Sequence, residues 1–229
     1  MDAALVPGTR PRVIIAFDLD GTLIDSAPDI CAMASAILRA RDLSALTLEE
    51  TRQFIGQGSA VFVRRMMAAR ELGEDETLHG ELHREFLSRY ETAVEHTVPY
   101  PAVVETLTAL REAGYPLGVC TNKPGEPARA VLAHLDLDHF FDAVIAGDMV
   151  QRRKPDPQML LQVRDELGGG AIIYVGDSEI DAQTAERASV PFALYSGGYR
   201  KASVEELHHD WVFDDFEQLS DVVREAARN

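Results

Sequence analysis

Beyond residue 98 the chain alternates short apolar runs with amphipathic helical patterns, and few architectures accept that alternation. A helical stretch from Pro101 to Ala113 opens with proline and stops at Gly114, and the run Pro116–Cys120 follows. The helical patterns Glu126–Leu135, Gln158–Leu167 and Ile180–Ala188 then interleave with the runs Ala143–Ala146, Ala171–Val175 and Phe192–Tyr195. Apolar runs too short for helices and not alternating with polar residues read as strands buried on both faces. Helices between such strands make βαβ units and a parallel sheet. The segment from Asp214 onward is predicted as a final helix.

An equivalent run, Ile14–Phe17, stands far upstream. Between it and residue 98 the pattern is helical only. Ser26-Ala27-Pro28-Asp29 and Thr47-Leu48-Glu49-Glu50 read as capped helix starts, and further helical patterns cover Ser59–Arg70 and Asp75–Ala93. This predicts an α/β protein with a parallel-sheet core, residues 1–26 and 97–229, and an α-helical domain, residues 27–96, inserted after the first strand. The hinges fall near Ser26 and between His96 and Pro99.

With 229 residues the chain can bury a full core, and a formal net charge of −16 argues against nucleic acid or an anionic membrane as partner. Cys31 and Cys120 cannot make a disulfide framework and suggest a reducing compartment; both are expected in the core. No stretch has the length of a membrane span, and Met1–Gly8 lacks the basic start and apolar run of a signal peptide, so a cytoplasmic location is expected.

The polar residues that end the runs carry the chemistry. Ile14–Phe17 stops at Asp18-Leu19-Asp20-Gly21-Thr22; Leu117–Cys120 stops at Thr121-Asn122-Lys123. Ile172–Val175 stops at Gly176-Asp177-Ser178-Glu179-Ile180-Asp181, and Arg152-Arg153-Lys154-Pro155 follows the run closing at Gly147-Asp148. Parallel strands present all their carboxyl ends along one edge, so these segments can converge. Asp18, Asp20, Asp177 and Asp181 crowded in one crevice would repel each other without a cation among them. A hard divalent ion such as Mg²⁺ suits carboxylate ligands and a phosphate oxygen, and Lys154 adds a fixed positive charge. An acidic protein could then hold a phosphorylated substrate, with Thr121 and the amide of Asn122 as phosphate donors. Asp18 would attack phosphorus to form an aspartyl-phosphate, and Asp20 would serve as acid and then base.

Asp18-Leu-Asp-Gly-Thr22, Thr121-Asn-Lys123, Lys154-Pro155 and Gly176-Asp177-x-x-x-Asp181 together resemble the four motifs of the haloacid dehalogenase-like phosphatases, in order and across almost the whole chain. The resemblance implies a Rossmann-like core with a small helical cap. It implies Asp18 as nucleophile, Asp20 as acid/base, and Mg²⁺ on Asp18, the Asp20 backbone carbonyl and Asp177, supported by Asp181. Thr121 and Lys154 would contact phosphate. Asp18–Asp29, Ile55-Gly-Gln-Gly58, Cys120–Pro124 and Gly197-Gly-Tyr199 are similar to the phosphoglycolate phosphatase group within that family; the match loosens over Gly147–Arg153. The expected substrate is therefore a small phosphorylated metabolite, 2-phosphoglycolate foremost, handled by a monomer or homodimer. The alternatives are a sugar phosphomutase of the β-phosphoglucomutase kind, or a phosphatase of a hexose phosphate, pyrophosphate or nucleotide.

A calcium loop is excluded because Gly21 is fourth, not sixth, after the first aspartate. A dehalogenase would not need Asp20. A regulatory binding protein on this fold would be expected to lack a catalytic carboxylate, and none is missing. Gly56-Gln57-Gly58 follows a helical pattern, so it is no dinucleotide fingerprint; either it meets the substrate's far end or it only joins two helices. Arg64 or Arg65 could reach a substrate carboxylate or merely solvate a helix. His79 and His83 have helical metal-ligand spacing without a third ligand and are expected on the surface.

Overall fold

The computed structural model of the chain describes residues 13–226; the reading of Met1–Gly8 lies outside the described residues. In chain order the strands are β1 (Val13–Phe17), β2 (Ile24–Asp25), β3 (Val98–Pro99), β4 (Leu117–Thr121), β5 (Ala143–Ala146), β6 (Ala171–Gly176), β7 (Phe192–Tyr195) and β8 (Trp211–Phe213). The helices are α1 (Ala27–Arg39), α2 (Leu48–Phe54), α3 (Ser59–Ala68), α4 (Glu76–Tyr90), α5 (Val103–Glu112), α6 (Gly125–His134), α7 (Gln158–Glu166), α8 (Glu179–Ala188) and α9 (Leu219–Ala226).

Six strands form one sheet in the order β5-β4-β1-β6-β7-β8, and every pairing in it is parallel. Side chains alternate across β1, so Ile15 and Phe17 pack on one face and Ile14 and Ala16 on the other. The first face meets α5, α6 and α9 through Leu107, Val131 and Val223; the second meets α7 and α8 through Met159, Val163 and Ala185. Burial on both faces is why the strands read as unbroken apolar runs, each buried Ile or Phe side chain contributing roughly 1.5–3 kcal/mol. After β5 the chain crosses to the other side of β1, placing the topological switch point at the carboxyl ends of β1 and its neighbours.

Helices α1 to α4 pack around their own apolar cluster, including Ile37, Phe62, Met66 and Phe86. The two chain segments joining this bundle to the sheet run antiparallel as β2 and β3, with Ile24 opposite Pro99 and Asp25 opposite Val98. The sequence pattern does not reveal this two-residue ladder, nor the edge strand β8; both are too short to show a period. The segment after Asp214 begins as a 3-10 turn, Phe216–Gln218, before α9.

Of the two capped starts, Thr47 forms the expected reciprocal box with Glu50, each side chain accepting from the other's backbone N–H. Ser26 does not cap α1: its hydroxyl donates to Asp20 Oδ1 at 2.5 Å. His79 is buried, with Nε2 2.9 Å from the Ala60 carbonyl oxygen, and His83 is half-buried against the Ser59 hydroxyl. The expectation of surface histidines is corrected, because α4 turns that face onto α3. Among the described residues no helix is long and apolar enough to cross a membrane.

Candidate active site

Asp18 follows β1 directly, and its backbone N–H still donates to the Val175 carbonyl at 2.9 Å, so the ladder between β1 and β6 fixes its position. The Asp18 carboxylate is 2.8 Å from Lys154 Nζ. Lys154 is delivered by the loop after β5 and also donates to Asp181 Oδ1 at 2.7 Å and the Tyr174 hydroxyl at 2.9 Å. Its side chain is 1% exposed, and burial favours the neutral amine; Asp18 and Asp181 outweigh that and hold it charged.

Asp18, Asp177 and Asp181 offer carboxylate oxygens within 4.8 Å of one another. The carboxylate of Asp20 stands outside this group, turned to Lys123 Nζ at 3.0 and 3.3 Å and to Ser26. Asp181 is engaged on both oxygens, Oδ1 by Lys154 and Tyr174 and Oδ2 by the Ser178 amide and hydroxyl. Those donors hold it below the usual carboxylate range in spite of burial. Among the described residues Asp177 has only neutral donors, Thr22 Oγ1 at 2.8 Å and the Tyr199 N–H at 2.6 Å. Burial, then Asp181 and Asp18, push it well above its ordinary value, and burial pushes Asp18 up to about 7.

Among the described residues, three buried carboxylates thus share one ammonium. The charge is uncompensated at Asp177, beside Asp18. A hard dication with oxygen ligands fits this donor set, with Asp18 and Asp177 as the carboxylates free to take it. The approach to Asp177 is tight. Gly21 has φ +92, and a Cβ there would lie 2.6 Å from Asp177 Oδ2. A Cβ on Gly198 would overlap Asp177 and the Gly21 carbonyl, so only glycine lets the 197–199 loop close over this aspartate.

Thr121, at the end of β4, is 1% exposed; its Oγ1 accepts from the Lys123 N–H at 3.2 Å and keeps its own proton to donate. The side chain of Asn122 is spent as a clasp. Its Nδ2 donates to the carbonyls of Gly56 (2.9 Å) and Lys154 (3.1 Å), while Oδ1 accepts from the Lys154 N–H. It ties the loop after α2 to the loop carrying Lys154. Gly56 lines both chambers that open on Asp18 and Asp20, whereas Gln57 lines only the outer one and accepts from Arg65 at 2.8 Å. Arg65 also donates to the Gln53 and Phe54 carbonyls, and Arg64 pairs with Glu76 on the surface.

Residues without an assigned role in the sequence reading complete the site. Lys123 bridges Asp20 and the hydroxyl of Tyr90, which stands at the end of α4 and lies 2.8 Å away. The Tyr199 hydroxyl donates to Asp25 Oδ1 at 2.6 Å, and Arg52 of α2 holds the other oxygen of Asp25 at 2.9 Å. A usable signal did exist for Lys123. The chain has three lysines among 22 Lys and Arg residues, and two of them, Lys123 and Lys154, are buried at this crevice.

The model of the "Haloacid dehalogenase-like hydrolase" family matches residues 15–195, from inside β1 to the end of β7. A phosphoglycolate phosphatase of Rhodobacter capsulatus is 44% identical over 207 residues, spanning 90% of this chain and 94% of that protein. One from Agrobacterium fabrum is 37% identical, spanning 93% of each. The crystal structure of a predicted phosphoglycolate phosphatase from Haemophilus somnus superposes with a TM-score of 0.86 at 29% identity, covering 92% of this chain and 97% of that one. The matched span contains the aspartates, the lysine and the helical insertion described above, and the chain belongs to the haloacid dehalogenase-like hydrolases.

Proposed function

We propose that the chain is a Mg²⁺-dependent phosphatase that hydrolyses 2-phosphoglycolate to glycolate and phosphate. The observation that carries this reading is the placement of Asp18. It is a buried carboxylate on a rigid strand end, 2.8 Å from a buried lysine and beside an aspartate with no cationic partner among the described residues. The substrate is supported by relatives of that name at 44% and 41% identity over nine-tenths of the chain.

A carboxylate oxygen of Asp18 attacks phosphorus, the bond to the ester oxygen breaks, and Asp20 gives that oxygen its proton. Glycolate leaves and the phosphoryl group stays on Asp18. Asp20, now ionised, takes a proton from water as the water attacks phosphorus, and phosphate departs with Asp18 restored. Lys154 offsets charge on the phosphoryl oxygens, and Thr121 donates to one of them. Asp181 holds Lys154 in place. Asp18, the backbone carbonyl of Asp20 and Asp177 would hold Mg²⁺, supported by Asp181; when bound it supplies Lewis-acid stabilisation of the transferring group. Residues 27–96 act as a cap on the core formed by residues 1–26 and 97–229, closing the crevice to bulk water and large ligands, which favours a small metabolite over a protein substrate.

The test is a turnover panel with Mg²⁺ comparing phosphoglycolate, hexose phosphates, pyrophosphate and nucleotides. Phosphate release greatest from phosphoglycolate supports the reading. Isomerised sugar phosphate without net release overturns it in favour of a phosphomutase.

A further inference from the structure

The inner chamber at the junction of bundle and sheet has one cationic side chain on its wall among the described residues, Lys123. That side chain is 3% exposed. The other buried lysine, Lys154, does not line the chamber and is paired with Asp18 and Asp181. Arg65 spends its guanidinium on two backbone carbonyls and Gln57, outside this chamber. The same wall carries the apolar side chains of Ile30, Ile55, Phe62 and Phe86, with the uncharged Ser59, Thr121 and Asn122 beside them. Among the described residues whose side chains line the chamber, Lys123 is the counter-charge an anionic group would meet, while Arg153, next to Gly58, holds the Gly147 carbonyl through Nε.

Connectivity brings such a group within reach. Asp20 faces the ester oxygen in the reaction above, and the Lys123 ammonium touches Asp20 at 3.0 Å. In a small phospho-acid one methylene separates the ester oxygen from the carboxylate carbon. A carboxylate that close to the ester oxygen is within reach of the lysine that contacts Asp20. We propose that Lys123 is the specificity-determining residue of the leaving-group side, donating to the substrate's carboxylate and favouring phosphomonoesters with an anionic group one carbon from the ester oxygen. Tyr90, under the ammonium with its ring centroid 4.2 Å from Nζ, holds the lysine from the bundle side. This rests on the reading of the chain as a phosphatase of a small phospho-acid and extends it to the residue that selects the acid.

The full chain with Mg²⁺ is assayed on 2-phosphoglycolate and on 2-hydroxyethyl phosphate, which replaces the carboxylate by a neutral group of similar size. The wild type is expected to prefer phosphoglycolate in kcat/KM, and Lys123→Met is expected to lower that preference by about tenfold or more, the worth of a charge-assisted hydrogen bond. The ratio cancels any general damage done by removing the partner of Asp20. Tyr90→Phe keeps the charge and is expected to keep the preference. Equal loss on both substrates in Lys123→Met overturns the proposal, leaving the lysine as a positioning residue for Asp20 alone. A collapse in Tyr90→Phe as complete as in Lys123→Met also overturns it. Should Lys123→Met not fold, product inhibition of the wild type decides: competitive inhibition by glycolate and none by ethylene glycol supports the role, and equal inhibition overturns it. The underlying reading fails separately, when the wild type releases phosphate from neither ester. Release from both with equal efficiency leaves the phosphatase standing and removes the role of Lys123.

Discussion

Asp29 and Thr97, 68 positions apart, are joined through one carboxylate oxygen: Asp29 Oδ2 accepts the Thr97 N–H at 2.7 Å and the Thr97 hydroxyl at 2.6 Å. The His96 N–H donates to the same oxygen at 2.9 Å. The first turn of α1 is thereby fastened to the segment that returns to the sheet. Asp29→Ala leaves these donors without their acceptor and is expected to cost about 2–4 kcal/mol in urea unfolding. A loss within experimental error would mean that the β2–β3 ladder alone sets this junction.

Asp18→Asn is expected to lower turnover by roughly a thousandfold or more, because the amide is no nucleophile, with the fold intact. One of three crowded buried carboxylates becomes neutral, so the melting temperature without metal should not fall. Phosphate release and thermal unfolding measured on one preparation check both halves. Near-normal turnover would end the assignment of Asp18.

Mg²⁺ should stabilise the native chain, since the unfolded chain has no clustered carboxylates to bind it. A single site at a hundredfold excess over Kd contributes about 2.7 kcal/mol, several degrees in melting temperature for a chain of this size. EDTA should reverse the shift, and Asp177→Asn should abolish most of it. An Asp177→Asn variant that keeps the full shift would place the ion elsewhere.

Asp20→Ala should impair departure of poor leaving groups most. A plot of log kcat against leaving-group pKa is expected to be steeper than for wild type. Parallel plots would count against proton donation by Asp20.

Glu50 pairs with Arg70 at 2.9 Å and caps α2, and these contacts, the Arg70 hydrogen bond first, lower its pKa from 4.5 to about 2. The native state binds this proton more weakly than the unfolded chain. The stabilisation is therefore complete above about pH 4.5 and disappears as pH falls towards about 2. The Glu50 side chain is 31% exposed, so solvent screening limits its worth to on the order of 1 kcal/mol at neutral pH. The stability difference between wild type and Glu50→Gln should shrink between pH 5 and pH 2.5. A difference that grows as pH falls would reverse the sign argued here.

The parallel sheet and the inserted helices were legible because each rests on a local pattern long enough to repeat. Ile14–Phe17, Leu117–Cys120 and Ile172–Val175 each sit within a strand as expected, and Thr47 with Glu50 forms a cap from four adjacent residues. Asp18, Thr121, Lys154 and Asp177 were legible because parallel strands send all their carboxyl ends to one edge. Ser26 and Asp29 read as one helix cap by spacing, yet their oxygens serve Asp20 and Thr97 instead. Local spacing cannot weigh such distant claims.

Alone, the order of residues determined which chemistry the chain can carry and at which strand ends, since apolar periodicity and polar run-ends are properties of neighbours along the backbone. Only the tertiary structure decided how the charges divide: Lys154 to Asp18 and Asp181, Lys123 to Asp20, and, among the described residues, no cation to Asp177. Those pairings join residues up to 136 apart, between Asp18 and Lys154, and they depend on how the loops of separate strands and the end of α4 pack into one crevice. Distance and burial set the strength of a charge pair, and neither is written in the spacing of residues.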